Sequence, residues 1–129
     1  MEFITVEQFK EQPKEVQEVF LKWWKPQTMD LCTWFNNYYN ERENMCILNN
    51  RVIRDISKDD KGDYIPLLTE GQLRKFIEDK LKSEVWIEYS GSYEIITLCD
   101  VNGYENLGTD LLQAYWMVAC IVAKEGLDE

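Results

Sequence analysis

Two helix starts stand out in the pattern of hydrophobic and polar positions along the chain. Thr5 and Gln8 have the spacing of a capping box, in which each side chain bonds the backbone N–H of the other residue, and Thr69 and Gln72 repeat that spacing. Apolar residues follow both boxes at intervals of three and four. The pattern therefore predicts one helix that starts at Thr5 and another over about 70–82.

Proline residues punctuate the first helical region. Pro13 either bends the first helix or begins a new one, and Pro26 stops the helical pattern. Between these two prolines an apolar stripe on one helical face is formed by Val16, Val19, Phe20 and Trp23. After Pro26 the pattern weakens. Phe35 and Tyr38–Tyr39 also fit a loop, but the spacing of Leu31, Trp34 and Phe35 favours a further helix within 27–43.

Alternating residues predict two hairpins. The clearer one has strands 85–89 and 93–98 around the turn Ser90–Gly91–Ser92. The other has strands 45–48 and 51–56 around Asn49–Asn50, followed by a charged loop over 57–63. Residues 99–108, which contain the turn signal Asn102–Gly103, are predicted to form a loop.

The last helix is apolar on most sides. Thr109 is predicted to cap it, Gly126 to terminate it, and its helical residues to continue to about Lys124. A helix with apolar residues nearly all round is buried in its own fold or pairs with another chain. The segment Leu111–Val122 is therefore a candidate homo-oligomer interface.

The order of elements predicts the fold class. Helices, a hairpin, a helix, a hairpin and a final helix follow one another, and no linker separates them. We predict a single α+β domain over residues 1–129, with an antiparallel sheet of about four strands packed by three or four helices. A chain of 129 residues with 45% hydrophobic residues can bury a substantial core without disulfides.

The charge balance limits the classes of partner. The chain has 24 acidic and 14 basic residues, a net charge of −10, and no basic cluster. Binding to a nucleic-acid backbone or to an anionic membrane needs clustered lysine and arginine, so neither is expected. A protein partner with a basic surface is favoured instead.

The chain lacks the residues that several kinds of chemistry require. There is no histidine, the four cysteines are widely separated, and no Gly-rich phosphate loop occurs. We therefore expect no enzyme activity, no bound metal, no cofactor and four free thiols. The first ten residues are polar and acidic, which does not fit a signal peptide, and the longest apolar stretch is too short to cross a bilayer, so a cytoplasmic protein is expected.

Aromatic and acidic residues provide candidates for a protein-binding surface. The chain has five tryptophans, and we expect most of them in the core and one or two near Pro26 at the surface. The candidate binding residues are Trp24, Trp34, Glu41, Glu43, Asp59, Asp60 and Asp63.

An alternative is a module that binds a nucleotide messenger. Arginine side chains can bind phosphate in a bidentate manner, and tyrosine rings can stack on a base. The candidate arginines are Arg42, Arg51, Arg54 and Arg74, and the candidate tyrosines are Tyr38, Tyr39, Tyr64, Tyr89, Tyr93 and Tyr104.

Two stretches resemble known phage proteins. The segment from Tyr64 to Leu73 resembles small proteins of phages and prophages of Firmicutes. The hairpin 85–98, followed by 107–114, is similar to the phage ABA-sandwich type. The resemblance implies no catalytic residues. It implies an accessory protein that binds and inhibits a host protein, as anti-CRISPR and other anti-defence proteins do, in the cytoplasm of a bacterial host.

Overall fold

A computed structural model describes residues 2–36, 41–42, 46–47, 64–97 and 100–127 of the chain. The chain forms two compact units. The N-terminal unit is Thr5–Leu68, and the C-terminal unit is Thr69–Glu129 together with Met1–Ile4. Helices and antiparallel strands occur in the described part of both units, which confirms the α+β class. A single domain over the whole chain stays a prediction.

The N-terminal unit begins with two short helices. Helix α1 is Val6–Glu11 and helix α2 is Lys14–Trp23. The capping box at the start of α1 is confirmed: the Gln8 N–H donates to Thr5 Oγ1 (3.1 Å), and the Thr5 N–H donates to Gln8 Oε1 (3.0 Å). Pro13 is the N-cap of α2, so it separates two helices rather than bending one.

In the described part of the N-terminal unit, three strands lie antiparallel to the first one. Strand β1 is Leu31–Asn36, and it pairs with β2 (Glu41–Arg42), β3 (Cys46–Ile47) and β4 (Tyr64–Pro66). The predicted helix within 27–43 is therefore wrong. A short apolar run fits a helix and a buried strand equally well, and here the pairing of β1 with three other strands decides for the strand.

The predicted hairpin over 45–56 is described only in part. Cys46–Ile47 is a strand, and the strand with which it pairs is β1. The turn at 49–50, the strand 51–56 and the loop 57–63 lie outside the described residues.

The C-terminal unit starts with helix α3, Glu70–Leu81, as the second capping box predicted. The Gln72 N–H donates to Thr69 Oγ1 (3.4 Å), and the Thr69 N–H donates to Gln72 Oε1 (3.0 Å). The predicted hairpin follows as β5, Val85–Tyr89, and β6, Tyr93–Thr97. A seventh strand, β7, is Asp100–Tyr104, and the sheet order is β5-β6-β7.

Strand β7 occupies half of the predicted loop over 99–108. One residue separates Ile95 from Thr97 on β6, whereas three separate Asp100 from Tyr104 on β7, which are their partners. The extra residues form a β-bulge, and Gly103 within it has a φ of +63°. The Asn102–Gly103 signal thus marks an irregularity inside a strand, where glycine supplies the left-handed conformation.

Helix α4, Leu111–Leu127, covers the sheet of the C-terminal unit and packs against α3. Its cap is Asp110 rather than Thr109, because the Gln113 N–H donates to Asp110 Oδ1 (3.2 Å). Gly126 lies inside the helix and does not terminate it. Packing against both α3 and β6 explains why α4 is apolar on most sides; its buried residues are Leu112, Ala114, Tyr115, Trp116, Val118, Ala119, Val122 and Ala123. None of the described helices is both long and apolar enough to traverse a membrane.

Candidate protein-binding surface

The two faces of the β5–β6 hairpin differ in burial. Val85 lies opposite Thr97 and Ile87 opposite Ile95, and this inner face is largely buried. Because side chains alternate along a strand, the residues between them point to the other side of the sheet. We call that side the outer face; it is formed by Trp86, Glu88, Glu94 and Ile96.

The outer face combines an exposed indole with two carboxylates. Trp86 lies directly opposite Ile96, and the Trp86 side chain is 50% exposed. Glu88 lies directly opposite Glu94, with Glu88 exposed and Glu94 half-buried. Like charges at directly opposite positions of an antiparallel pair destabilise the sheet. The hairpin thus carries a repulsive pair beside its largest exposed aromatic side chain.

Glu94→Lys is expected to raise the free energy of unfolding by about 0.5–1 kcal/mol, since an opposite-charge pair then replaces a like-charge pair across the strands. Urea denaturation at low salt measures the effect, and high salt should reduce it. The matched control is Glu105→Lys, which makes the same charge change at an exposed position outside the strands. Equal stabilisation by both variants would show that overall charge, not the cross-strand pair, is responsible.

The start of β5 is attached to helix α3 through Val85. Arg74 Nη2 donates to the Val85 carbonyl oxygen (2.8 Å), and the Val85 N–H donates to Glu78 Oε2 (3.3 Å). Arg74 Nε and Glu78 Oε1 are 3.7 Å apart, so the two side chains also form an i,i+4 ion pair. Both backbone polar groups of Val85 are therefore satisfied by α3 rather than by another strand.

The Arg74 guanidinium also lies near the side chain of Tyr115 on α4. Burial raises the pKa of the Tyr115 phenol above its ordinary value, and the charge of the nearby Arg74 guanidinium opposes part of this shift. The phenol is thus neutral at physiological pH. Arg74 connects α3, α4 and β5 through one side chain.

The nucleotide alternative finds little support in the position of Arg74. Its guanidinium bonds Val85 and forms an ion pair with Glu78, at the opposite end of β5 from the exposed tyrosine Tyr89. Tyr89 is four positions along the strand from Val85, which is about 13 Å. Of the other candidate arginines, Arg51 and Arg54 lie outside the described residues, and only the backbone of Arg42 is described.

Trp24 is buried, which corrects its predicted exposure. Its side chain is 2% exposed and packs with Cys32, Leu21 and Tyr64. The Trp24 indole N–H donates to Asp30 Oδ2 (3.1 Å), so the polar edge of the ring is also satisfied within the fold. The residues after α2 close over the ring instead of leaving it at the surface.

The other predicted binding residues are not tested by the structure. Trp34 and Glu41 lie on β1 and β2, and only their backbone is described. Glu43, Asp59, Asp60 and Asp63 lie outside the described residues. The exposed tryptophan that the structure reveals is Trp86, which sequence reasoning placed in a strand without assigning it to a surface. The signal that could have found this face is the turn centred on Gly91. Residues equally far from Gly91 on the two strands lie opposite one another.

The thiol of Cys120 on α4 is not activated. Burial raises the pKa of this thiol to about 12, so it is protonated at neutral pH. Cys32 is fully buried in the N-terminal unit. The two cysteine side chains that the structure describes thus lack the properties of a nucleophile.

Within Leu111–Val122, the exposed part of α4 is small. Met117 and Ile121, one helical turn apart, are 45% and 40% exposed, while the residues on its other sides are mostly buried within the unit. Two adjacent side chains are a narrow surface for a stable helix pair, which buries a larger apolar area. A homo-oligomer through Leu111–Val122 stays a prediction.

The combination of features on the outer face is the best candidate site of the described residues. It places the exposed Trp86 ring next to the carboxylates of Glu88 and Glu94 on a hairpin that α3 and α4 hold in position. Comparisons of the chain with protein-family models, with curated proteins and with solved structures found no match to any of them.

Proposed function

We propose that this chain is a non-enzymatic binding protein whose outer face docks on a basic surface of a partner protein. The observation that carries the proposal is the pair Glu88 and Glu94, directly opposed across β5 and β6 beside the exposed ring of Trp86. The phage resemblance suggests the biological setting: an accessory protein of a phage or prophage that acts in the cytoplasm of a bacterial host and inhibits a host protein, in the manner of anti-CRISPR or other anti-defence proteins.

The energetic basis is relief of repulsion on binding. In the free protein the two carboxylates repel each other across the strands. A lysine or arginine from a partner that approaches both would bring a compensating charge, so the repulsion that weakens the free hairpin would strengthen the complex. Trp86 would supply the apolar part of the contact and could also stack on a guanidinium.

The net charge supports the same class of partner. A chain with a net charge of −10 attracts a basic protein at long range and accelerates their encounter at low salt. Inhibition would follow from occlusion, because a partner whose basic surface binds nucleic acid cannot present that surface to both ligands at once.

The test compares three forms of the full chain, each immobilised and exposed to a Firmicutes lysate. They are the wild type, the outer-face variant Glu88→Gln/Glu94→Gln, and the matched control Glu105→Gln/Glu125→Gln, which removes the same charge at exposed positions elsewhere in the C-terminal unit. Mass spectrometry identifies the retained proteins at increasing salt. Basic proteins that the wild type and the control retain, and that the outer-face variant loses, would support the proposal.

Two results would contradict it: equal retention of the same proteins by all three forms, or retained partners that are acidic. Misfolding of the outer-face variant does not offer another explanation for a loss, since removing the repulsive pair is expected to stabilise the hairpin. A thermal melt of each form before the assay verifies this.

A further inference from the structure

We propose that the edge of β5 that faces away from β6 accepts an extended segment of the partner as an additional antiparallel strand, with basic and apolar residues in alternation. This strand addition rests on the proposed function and specifies the shape and sequence pattern of the partner. It uses the backbone of Ile87 and Tyr89, next to the outer face formed by Trp86, Glu88, Glu94 and Ile96.

The orientation of the β5 backbone follows from Val85. Its N–H and its carbonyl oxygen both bond side chains of α3, so they point away from β6. Backbone groups of alternate residues in a strand point to the same side. The N–H and carbonyl groups of Ile87 and Tyr89 therefore point toward the same edge as those of Val85, whereas those of Trp86 and Glu88 point toward β6.

The edge has a defined limit. Arg74 and Glu78 occupy the polar groups of Val85, so an added strand cannot pair at that residue. In the part of the chain that the structure describes, no strand pairs with β5 on the side away from β6. Ile87 and Tyr89 thus offer a short ladder of donors and acceptors, beginning where the contact with α3 ends.

The composition of β5 fits selective pairing. Edge strands usually prevent pairing with other chains through lysine, proline or a bulge. β5 reads Val-Trp-Ile-Glu-Tyr, which contains no lysine and no proline, and its pairing with β6 is regular. Its only charge is Glu88, reinforced by Glu94 on the neighbouring strand. Two copies of the chain that paired at this edge would bring like charges together, whereas a basic strand would bring opposite charges together.

The alternation of basic and apolar residues in the partner segment follows from the register in which it would pair with β5. In an antiparallel pair, residues directly opposite each other point to the same face. Partner residues opposite Ile87 and Tyr89 would lie on the inner face and be apolar, and those opposite Trp86 and Glu88 would lie on the outer face and be basic. The recognised segment is therefore an extended stretch with lysine or arginine at every second position.

The experiment uses the full chain and an acetylated, amidated peptide, Lys-Val-Lys-Val-Lys-Val-Lys, labelled for fluorescence anisotropy at low salt. Two modified peptides carry N-methyl groups, one on the valines and the other on the inner lysines. They have the same charge and closely similar composition, but each lacks the N–H donors of one side of the strand. In the antiparallel arrangement the valine N–H groups face β5, so N-methylation of the valines should weaken binding at least tenfold while N-methylation of the lysines leaves it within about threefold.

The outcomes separate strand addition from the proposed function. If both N-methylated peptides bind as tightly as the parent and Glu88→Gln/Glu94→Gln abolishes that binding, the outer face binds cations without strand addition, and only this proposal is overturned. Absence of binding by the parent peptide also overturns strand addition, while the lysate comparison still decides the proposed function. Loss on N-methylation of the lysines instead would indicate a parallel strand and overturn the antiparallel arrangement.

Discussion

Trp24→Ala is expected to lower the free energy of unfolding by about 3–5 kcal/mol, as substitutions of buried aromatic residues by alanine do. The Trp24 ring is 2% exposed and packs with Cys32, Leu21 and Tyr64, so alanine leaves a cavity among these side chains. The substitution also removes the donor to Asp30 Oδ2. Since small domains are stable by about 5–15 kcal/mol, the loss is a large share of the total. Urea denaturation followed by circular dichroism measures it.

Trp24→Phe is the matched variant for this prediction. Phenylalanine keeps most of the apolar volume and loses the indole N–H. Asp30 Oδ2 would still accept the Gln27 N–H (3.0 Å), so the carboxylate is not left without a donor. We expect this variant to lower the free energy of unfolding by about 1–2 kcal/mol. A Trp24→Ala protein as stable as the wild type, with binding to the partner lost, would instead restore the surface role that the sequence suggested.

Arg74→Ala is expected to lower the free energy of unfolding by about 1–3 kcal/mol, although the side chain is on the surface of α3. It removes the donor to the Val85 carbonyl oxygen and the cation near the Tyr115 phenol. The ion pair with Glu78 adds little to this value, because the Arg74 side chain is 45% exposed and solvent screens the pair. The cost arises instead from acceptors that lose a charged donor at the junction of α3, α4 and β5.

The control for Arg74 is its neighbour Lys75. Lys75 is 3.5 Å from Asp79 in a second i,i+4 ion pair, and its side chain is 71% exposed. We expect Lys75→Ala to change stability by no more than about 0.5 kcal/mol. A double-mutant cycle of Arg74→Ala with Tyr115→Phe should give a coupling free energy of about 1 kcal/mol. Equal effects of Arg74→Ala and Lys75→Ala would show that the bond to Val85 does not stabilise the fold.

Local signals predicted the elements whose determinants lie close together in the sequence. The capping boxes at Thr5 and Thr69 each involve residues three positions apart, and both helices begin where those boxes indicate. The hairpin around Gly91 also has its turn, its alternation and its register within about a dozen residues. These features need no information from the rest of the fold.

Elements that depend on distant partners were not predicted. Strand β1 pairs with β4, which lies about thirty residues further along the chain, and nothing near β1 encodes that pairing. Strand β7 was hidden by its bulge, because Gly103 has the local signature of a turn. Both cases show pairing between strands overriding what the nearby residues favour.

The position of the candidate site on β5 and β6 was not predicted from the sequence. Acidic and aromatic residues were expected to form a binding surface, and the sequence pointed to Trp24 and to the acidic residues of 41–63. Proximity to Pro26 was a poor guide to exposure, since the chain turns back over the Trp24 ring and Asp30 bonds it. The alternation along residues 85–89 placed Trp86 on one of the two faces of a strand. Its exposure depends on which face α4 covers, and that is a property of the tertiary packing.

The pairing of Phe3 with Thr69 has a consequence for the history of the chain. These two residues form an antiparallel bridge inside the C-terminal unit. The chain therefore departs from that unit after Ile4 and re-enters it at Thr69, at one and the same place, with Thr5–Leu68 between. A segment whose two ends lie at neighbouring positions is one that a fold can accommodate as an insertion. Genetic exchange of Thr5–Leu68 as one segment would therefore leave the hairpin that carries Trp86 unchanged.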